Sequence, residues 1–374
     1  MDDGARETGS SGPVRERSRG GRARWGRRPS HGQGRHHNDG AGHRDAGDRG
    51  GATYAALDLG TNNCRLLIAR PTGDSFRVID AFSRIIRLGE GVSSSGRLSE
   101  PAVARAIEAL TVCRDKMRNR GVTRARLIAT EACRAAENGD EFQARVRDVV
   151  GLDLEIIDRE TEATLAATGC TPLFDPASRG VVLFDIGGGS SELVRLGPSV
   201  ETPRGPPKPT IQSWVSLPVG VVTLAERHGG LTVTRELFEK MVSEVAGYLA
   251  AFAAANGGDL DGVHLLGTSG TVTTIAGVHL ELPRYDRKRI DGCWLSDTEI
   301  SGVVERLVGM TYDERIASSC IGSERADLVL AGCAILEAIR RAFPCPRLRV
   351  ADRGLREGML VDLMRADGAW GGIA

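Results

Sequence analysis

Two stretches of this chain share one local wording: an apolar run delivers an aspartate and turns at once through glycine. The first reads Leu57-Asp58-Leu59-Gly60-Thr61-Asn62-Asn63 and the second Phe184-Asp185-Ile186-Gly187-Gly188-Gly189-Ser190. Glycine lets a backbone approach an anion without a Cβ in the way. The amides of Gly187, Gly188 and Gly189, with the side chains of Thr61, Asn62 and Ser190, can then bond its oxygens. Each aspartate can hold Mg²⁺ directly or through water. Either turn alone reads equally as a structural hairpin. Two copies in matching positions argue for two halves of one design.

The surrounding pattern repeats with the turns. Tyr54 to Asp58, Arg65 to Ala69 and Phe76 to Phe82 are short runs split by turns and read as consecutive antiparallel strands. A helix follows, N-capped by Ser99, with Val103, Ile107, Leu110 and Met117 at helical spacing up to Gly121. Next come a strand at Arg126 to Thr130, a helix at Glu141 to Val150, a strand at Leu154 to Ile157 and a helix from about Thr161. A second cycle opens with strands at Val181 to Asp185, Glu192 to Arg195 and Ile211 to Leu217. The proline-rich Gly197 to Thr210 between them is expected to be a surface insertion. Helices at Thr234 to Ala255, Thr271 to Leu280 and Glu324 to Ala342 alternate with strands at Val263 to Gly267 and Leu348 to Val350. The same order has occurred twice, which marks an internal duplication.

Net charge is zero, but residues 1–50 carry eleven Arg against seven acids, leaving 38 Lys and Arg against 42 Asp and Glu in the body. A body this acidic does not grip a polyanion by bulk charge, so a phosphate substrate must be held by local geometry, and no specific nucleic-acid partner is expected. Residues 1–50, rich in Gly and Arg and holding His31, His36, His37 and His43, lack the apolar side chains a core needs and are expected to be disordered. Eight scattered cysteines without a Cys-x-x-Cys pair read as buried thiols of a reducing compartment. No apolar run is long enough for a membrane span and the start lacks a secretory signal, so a cytoplasmic protein with no membrane partner is expected.

Paired Asp-x-Gly turns facing across a cleft resemble the actin, hexokinase and 70-kilodalton chaperone superfold. Longer stretches go further: Ala56 to Leu67, Ala129-Thr130-Glu131-Ala132-Cys133-Arg134, Asp185 to Leu193, Gly267 to Thr274 and Asp352 to Gly358. In order, from about Thr53 to about Leu363, they resemble the exopolyphosphatase and guanosine pentaphosphate phosphohydrolase family. The resemblance implies an α/β fold of two actin-like (ribonuclease H-like) domains, at residues 51–160 and 161–363, with the active site between them. Residues 364–374 form a C-terminal segment expected to pack on the first domain. It implies hydrolysis of terminal phosphate from inorganic polyphosphate, or of guanosine pentaphosphate, with Mg²⁺ or Mn²⁺, in a homodimer.

Residue by residue, the resemblance makes Glu162 the catalytic base, although in isolation Glu162 reads as a solvated acid favoured by the helix dipole. Glu192 matches a family acid that, with Asp185 and with Asp58 nearby, addresses the metal or the attacking water. Arg134 matches an arginine clamping substrate phosphate, for which a planar fork suits two oxygens. Thr61, Asn62, Asn63 and Gly187 to Ser190 would bind phosphate, and Ser269, Gly270 and Thr271 offer a second anion site at a helix start or a plain N-cap turn. Arg284, Arg287, Lys288, Arg289, Arg325, Arg353 and Arg356 are expected outside direct contact. Asn63 departs from the family by replacing a hydroxyl with an amide, and the chain is expected to be the short form, without the helical extension of longer relatives. Three rivals remain: guanosine pentaphosphate as the true substrate, a small-molecule kinase of the same superfold, and a non-catalytic sensor.

Overall fold

The computed structural model describes residues 51–370. The Gly/Arg/His-rich segment 1–50 with its four histidines, and residues 371–374 of the C-terminal segment, lie outside the described residues. The first half comprises β1 (Tyr54–Leu59), β2 (Asn63–Thr72), β3 (Ser75–Ile85), α1 (Val92–Ser95), α2 (Glu100–Asn119), β4 (Arg124–Ala129), α3 (Glu131–Ala135), α4 (Gly139–Val150), β5 (Glu155–Ile156) and α5 (Arg159–Cys170). The second comprises β6 (Gly180–Ile186), β7 (Ser191–Val200), β8 (Lys208–Leu217), α6 (Val221–His228), α7 (Arg235–Asn256), β9 (Val263–Thr268), α8 (Gly270–His279), α9 (Arg287–Ile290), β10 (Trp294–Ser296), α10 (Asp297–Gly309), α11 (Tyr312–Ala317), α12 (Val329–Ala342), β11 (Arg347–Ala351) and α13 (Leu355–Ala366).

The duplication is explicit in the sheets. One has the order β3-β2-β1-β4-β5; the other, read from its opposite edge, is β8-β7-β6-β9-β11, with β10 added beyond. In both, the first three strands are antiparallel neighbours and the next two join in parallel. The four parallel joins need crossovers, and α2, α4, α7 and α8 lie in them. The α2 helix begins where Ser99 accepts from the Ala102 amide, with Pro101 in its first turn. It lays Val103, Ala106, Leu110, Cys113 and Met117 on the first sheet. Each such fully buried leucine contributes about 2 kcal/mol.

Two helices tie the halves together. Asp158 caps α5, accepting from the Thr161 amide at 2.7 Å, so α5 starts two residues before the position expected from sequence. Ala163, Ala167 and Cys170 of α5 pack on Val181, Leu183 and Val194 of the second sheet, whereas Met359, Leu360 and Met364 of α13 pack on Tyr54, Ala56 and Ile128 of the first. Where α5 and α13 cross, a Cβ on Gly358 would strike the Leu165 carbonyl and one on Gly169 the Gly354 carbonyl. The crossing is therefore backbone against backbone.

The proline-rich stretch differs from expectation. β7 and β8 extend into it, with Val200 opposite Lys208, so only residues 201–207 form the loop. Pro198 and Pro209 are tolerated because β8 is an edge strand and the pairing shifts register there. The loop is anchored: Arg365 donates to the Pro206 carbonyl at 3.1 Å, and Gly205, at φ +80°, lies against the Trp370 ring. Glu324 to Leu328 precede rather than begin α12. Among the described residues no helix is long and apolar enough to cross a membrane.

Candidate active site

The two elbows have one geometry. After Asp58 the Gly60 amide donates to the Asn63 carbonyl at 2.9 Å; after Asp185 the Gly187 amide donates to the Ser190 carbonyl at 3.0 Å. Each closes a tight turn into the next antiparallel strand, so the residue seven positions beyond each aspartate pairs directly across from it. Asp58 faces Arg65 on β2, and Asp185 faces Glu192 on β7. The elbows touch. A Cβ on Gly188 would lie 2.9 Å from the Thr61 Cβ and 3.3 Å from the Asn62 amide nitrogen, and one on Gly189 would lie 2.9 Å from the Thr61 hydroxyl. Only glycine permits this approach.

Four carboxylates converge there, and each is pushed toward its protonated form. Burial raises Asp58, with Arg65 and Arg356 opposing. Burial lifts Asp185 to about 6, against the pull of Arg65 and with the Asp58 charge adding. Glu192 goes to about 7 through burial and then the Asp185 charge, opposed by hydroxyls of Ser190 and Ser216 that donate to its Oε1 at 2.7 and 2.8 Å. Glu162 is held well above the usual carboxylate range by burial and then by Glu192, with Arg134 acting the other way. Asp185 is influenced by Asp58, Glu192 by Asp185, and Glu162 by Glu192 and Asp58, so a cation entering among them would be stabilised.

Arg134 departs from the expected clamp. Its fork is engaged by protein: Nε and Nη2 donate to Glu131 Oε2 at 3.0 and 2.6 Å, Nη2 donates to Glu162 Oε2 at 3.1 Å, and Nη1 donates to the Ile157 carbonyl at 2.5 Å. Glu131 also accepts from Arg159 at 2.8 Å, so it holds Arg134 in place. That leaves Arg134 a single N–H for a phosphate and sets it against Glu162 instead.

The other expected contacts divide. Ser190 spends its hydroxyl on Glu192, and Thr61 is packed between Gly89 and the glycines of the second elbow. The Oδ1 atoms of Asn62 and Asn63 are buried with no hydrogen-bond partner among the described residues. An orphaned amide oxygen is an acceptor, so it awaits a cation, a water or another donor and not a phosphate oxygen. Ser269 sits at φ +81°, a strained backbone for a non-glycine, with its hydroxyl bonded to the Ile186 carbonyl at 2.6 Å. Gly270 is beside Arg325, whose Nη1 would be 3.2 Å from a Cβ there. The Thr271 side chain is turned into α12 against Gly332 and does not face the cleft; only its amide, at the start of α8, remains for an anion.

Two arginines complete the site that the sequence did not single out for contact. Neither Arg65 nor Arg325 has a side-chain hydrogen bond or ion pair among the described residues, and burial, then repulsion from Arg65, holds Arg325 below its ordinary value. The available signal was the duplication itself: Arg65 stands seven residues after Asp58 as Glu192 stands seven after Asp185.

No group of three His, Cys, Asp or Glu side chains among the described residues forms a closed metal cage. The donors fit a different demand. Mg²⁺ takes one or two carboxylates, keeps several waters and completes its octahedron with substrate phosphates. The buried, oxygen-only pair Asp185 and Glu192 suits that mode.

A family model described as the Ppx/GppA phosphatase family matches residues 67–367. Exopolyphosphatase 2 of Mycobacterium tuberculosis is 29% identical over 330 residues, covering 83% of this chain and 98% of the relative. The guanosine-5'-triphosphate,3'-diphosphate pyrophosphatase of Photobacterium profundum is 26% identical over 323 residues, covering 83% of this chain and 59% of that longer protein. The crystal structure of the Aquifex aeolicus member of the Ppx/GppA family superposes with a TM-score of 0.70 at 28% identity, over 84% of this chain and 98% of that one.

Proposed function

The chain belongs to the Ppx/GppA phosphatase family, and from that premise we propose that it is an exopolyphosphatase, releasing terminal phosphate from inorganic polyphosphate by direct attack of water. The observation that carries this reading is the convergence of Glu162 and Glu192 with both elbow aspartates where the glycine turns touch, with Arg134 locked onto Glu162 at 3.1 Å.

In the proposed reaction Glu162 accepts a proton from water as its oxygen closes on the terminal phosphorus, and the bridging oxygen departs with the shortened chain. Arg134 orients the Glu162 carboxyl and favours its ionised, base-competent form. The free forks of Arg65 and Arg325, with the amides of Gly188 to Ser190 and of Gly270, stabilise the equatorial oxygens. Asn62 and Asn63 donate to the bound phosphate from their Nδ2 groups. A magnesium ion, Mn²⁺ substituting, would rest on Asp185 and Glu192 with Asp58 close by, and when bound it neutralises charge on the phosphates. Ser190 and Ser216 hold Glu192 in place for this role.

The cytoplasmic setting and homodimer of the family belong to the same proposal; all eight cysteines are free thiols, as a reducing compartment requires. Likeness to the Photobacterium enzyme keeps guanosine pentaphosphate as the second reading of the same chemistry. Phosphate release from long-chain polyphosphate, short-chain polyphosphate and guanosine pentaphosphate, each with and without Mg²⁺, tests both. The proposal expects Mg²⁺-dependent release with the highest kcat/KM on polyphosphate. A higher kcat/KM on guanosine pentaphosphate selects the second reading, and no release from any of the three in Mg²⁺ or Mn²⁺ sinks both.

A further inference from the structure

A cavity of about 490 Å³ opens beside the elbows, with Asn63, Ser83 and Arg84 on one wall and Ser323, Glu324 and Arg325 on the other. Its inner end is the site itself: Asn63 closes the first elbow, and Arg325 reaches Gly270 at the start of α8. The neighbouring stretch of the cleft is shut. Arg87 donates to both oxygens of Asp327 at 2.9 and 3.1 Å and to the Glu324 carbonyl at 3.2 Å. Glu226 accepts from the Gly91 amide at 2.8 Å and from the Ser93 hydroxyl. Arg87 makes this bridge from a left-handed backbone, φ +47°, held there by Arg105, whose Nε donates to the Ile86 carbonyl at 2.7 Å. A chain longer than the elbows can hold therefore has this cavity as its way out.

The outer wall of that route carries an unused charge. Arg84 is exposed, no acidic side chain pairs with it among the described residues, and its guanidinium lies 5.4 Å from the centre of the Phe82 ring. The ring steadies the guanidinium without neutralising it. We propose that Arg84 is a specificity-determining residue that binds the phosphates of a linear chain lying beyond the bond being cut. The inference rests on the reading of the site as a phosphoanhydride hydrolase and adds the direction in which the uncut chain runs. Terminal phosphate occupies the elbows, the next groups pass Asn63 and Arg325, and only a longer chain reaches Arg84. A planar fork matches two phosphate oxygens, and because this one is solvent-exposed its effect weakens as salt rises.

The test compares tripolyphosphate with long-chain polyphosphate on wild type, Arg84→Ala and Arg84→Lys. Arg84→Ala is expected to raise KM for the long chain about fivefold to tenfold, one charge-assisted phosphate contact, with kcat unchanged. Tripolyphosphate kinetics stay as in wild type, and Arg84→Lys recovers part of the long-chain KM by restoring the charge. An unchanged long-chain KM, or an equal rise on both substrates, overturns the proposal. If wild type releases phosphate from neither, the parent reading has failed. The variants are then judged on the dissociation constant for long-chain polyphosphate, where Arg84→Ala must again bind several-fold more weakly and equal binding is the overturning result.

Discussion

Replacing Glu192 by glutamine should make the ligand-free protein more stable, and more so the higher the pH. Glu192 is buried opposite Asp185, and that environment lifts its carboxyl from an ordinary 4.5 to about 7. Below pH 4.5 folded and unfolded chains both keep the proton, and neutral Glu192 is nearly equivalent to glutamine. Between 4.5 and 7 the folded protein holds a proton that the unfolded chain has released, so wild type loses stability as pH rises until the folded carboxyl also ionises. By pH 8 the accumulated loss is about 3 kcal/mol, which glutamine does not suffer. Glutamine keeps an oxygen to accept from Ser190 and Ser216, so the comparison isolates the charge. Thermal melts in EDTA, without polyphosphate, should give nearly equal Tm values at pH 5 and a gain of roughly 4–5 °C for the variant at pH 8. Excess Mg²⁺ should narrow the gap by stabilising the ionised wild type. A variant no more stable at pH 8 than at pH 5, relative to wild type, would refute the claim that Glu192 is held against its ionisation.

Gly188→Ala places a methyl 2.9 Å from the Thr61 Cβ and 3.3 Å from the Asn62 amide nitrogen, forcing the elbows apart. Phosphate release should drop about 100-fold with far-ultraviolet circular dichroism unchanged, since a displacement near 1 Å costs that much when positioning dominates. Arg134→Gln removes the cation that lowers the Glu162 pKa, so the acid limb of the kcat–pH profile should move upward. A limb that stays put would mean that Glu162 is not the group titrating.

What was legible in the sequence was local. Glycine punctuation and two-residue alternation marked β1 to β3 and β6, and Ser99 with its downstream stripe marked α2, because each depends on neighbours within a few residues. The elbows were legible for the same reason, and strand register sets Asp185 opposite Glu192 beside the point where the elbows touch. What escaped depends on distant partners. Arg65 was missed because the second half puts a glutamate at the equivalent position, so comparing residue types hides a match that strand register reveals. Arg325 lies in an irregular segment before α12, and only the fold brings it over Gly270. The Arg134 fork looked free until Glu131 and Glu162 were found on it, and Thr271 faced the cleft only until α12 claimed its side chain. The prolines suggested a loose insertion because the pairing of Val200 with Lys208 and the contact with Trp370 are invisible from composition.

The central claim is that a buried glutamate at the start of α5 draws the proton from the attacking water. Glu162→Gln preserves shape and can still accept from Arg134, so it removes the base and little else. Single-turnover release of phosphate from long-chain polyphosphate in Mg²⁺, with the dissociation constant measured on the same sample, should slow by about 10²- to 10⁴-fold while binding changes no more than a few-fold. Release at close to the wild-type rate would contradict the account.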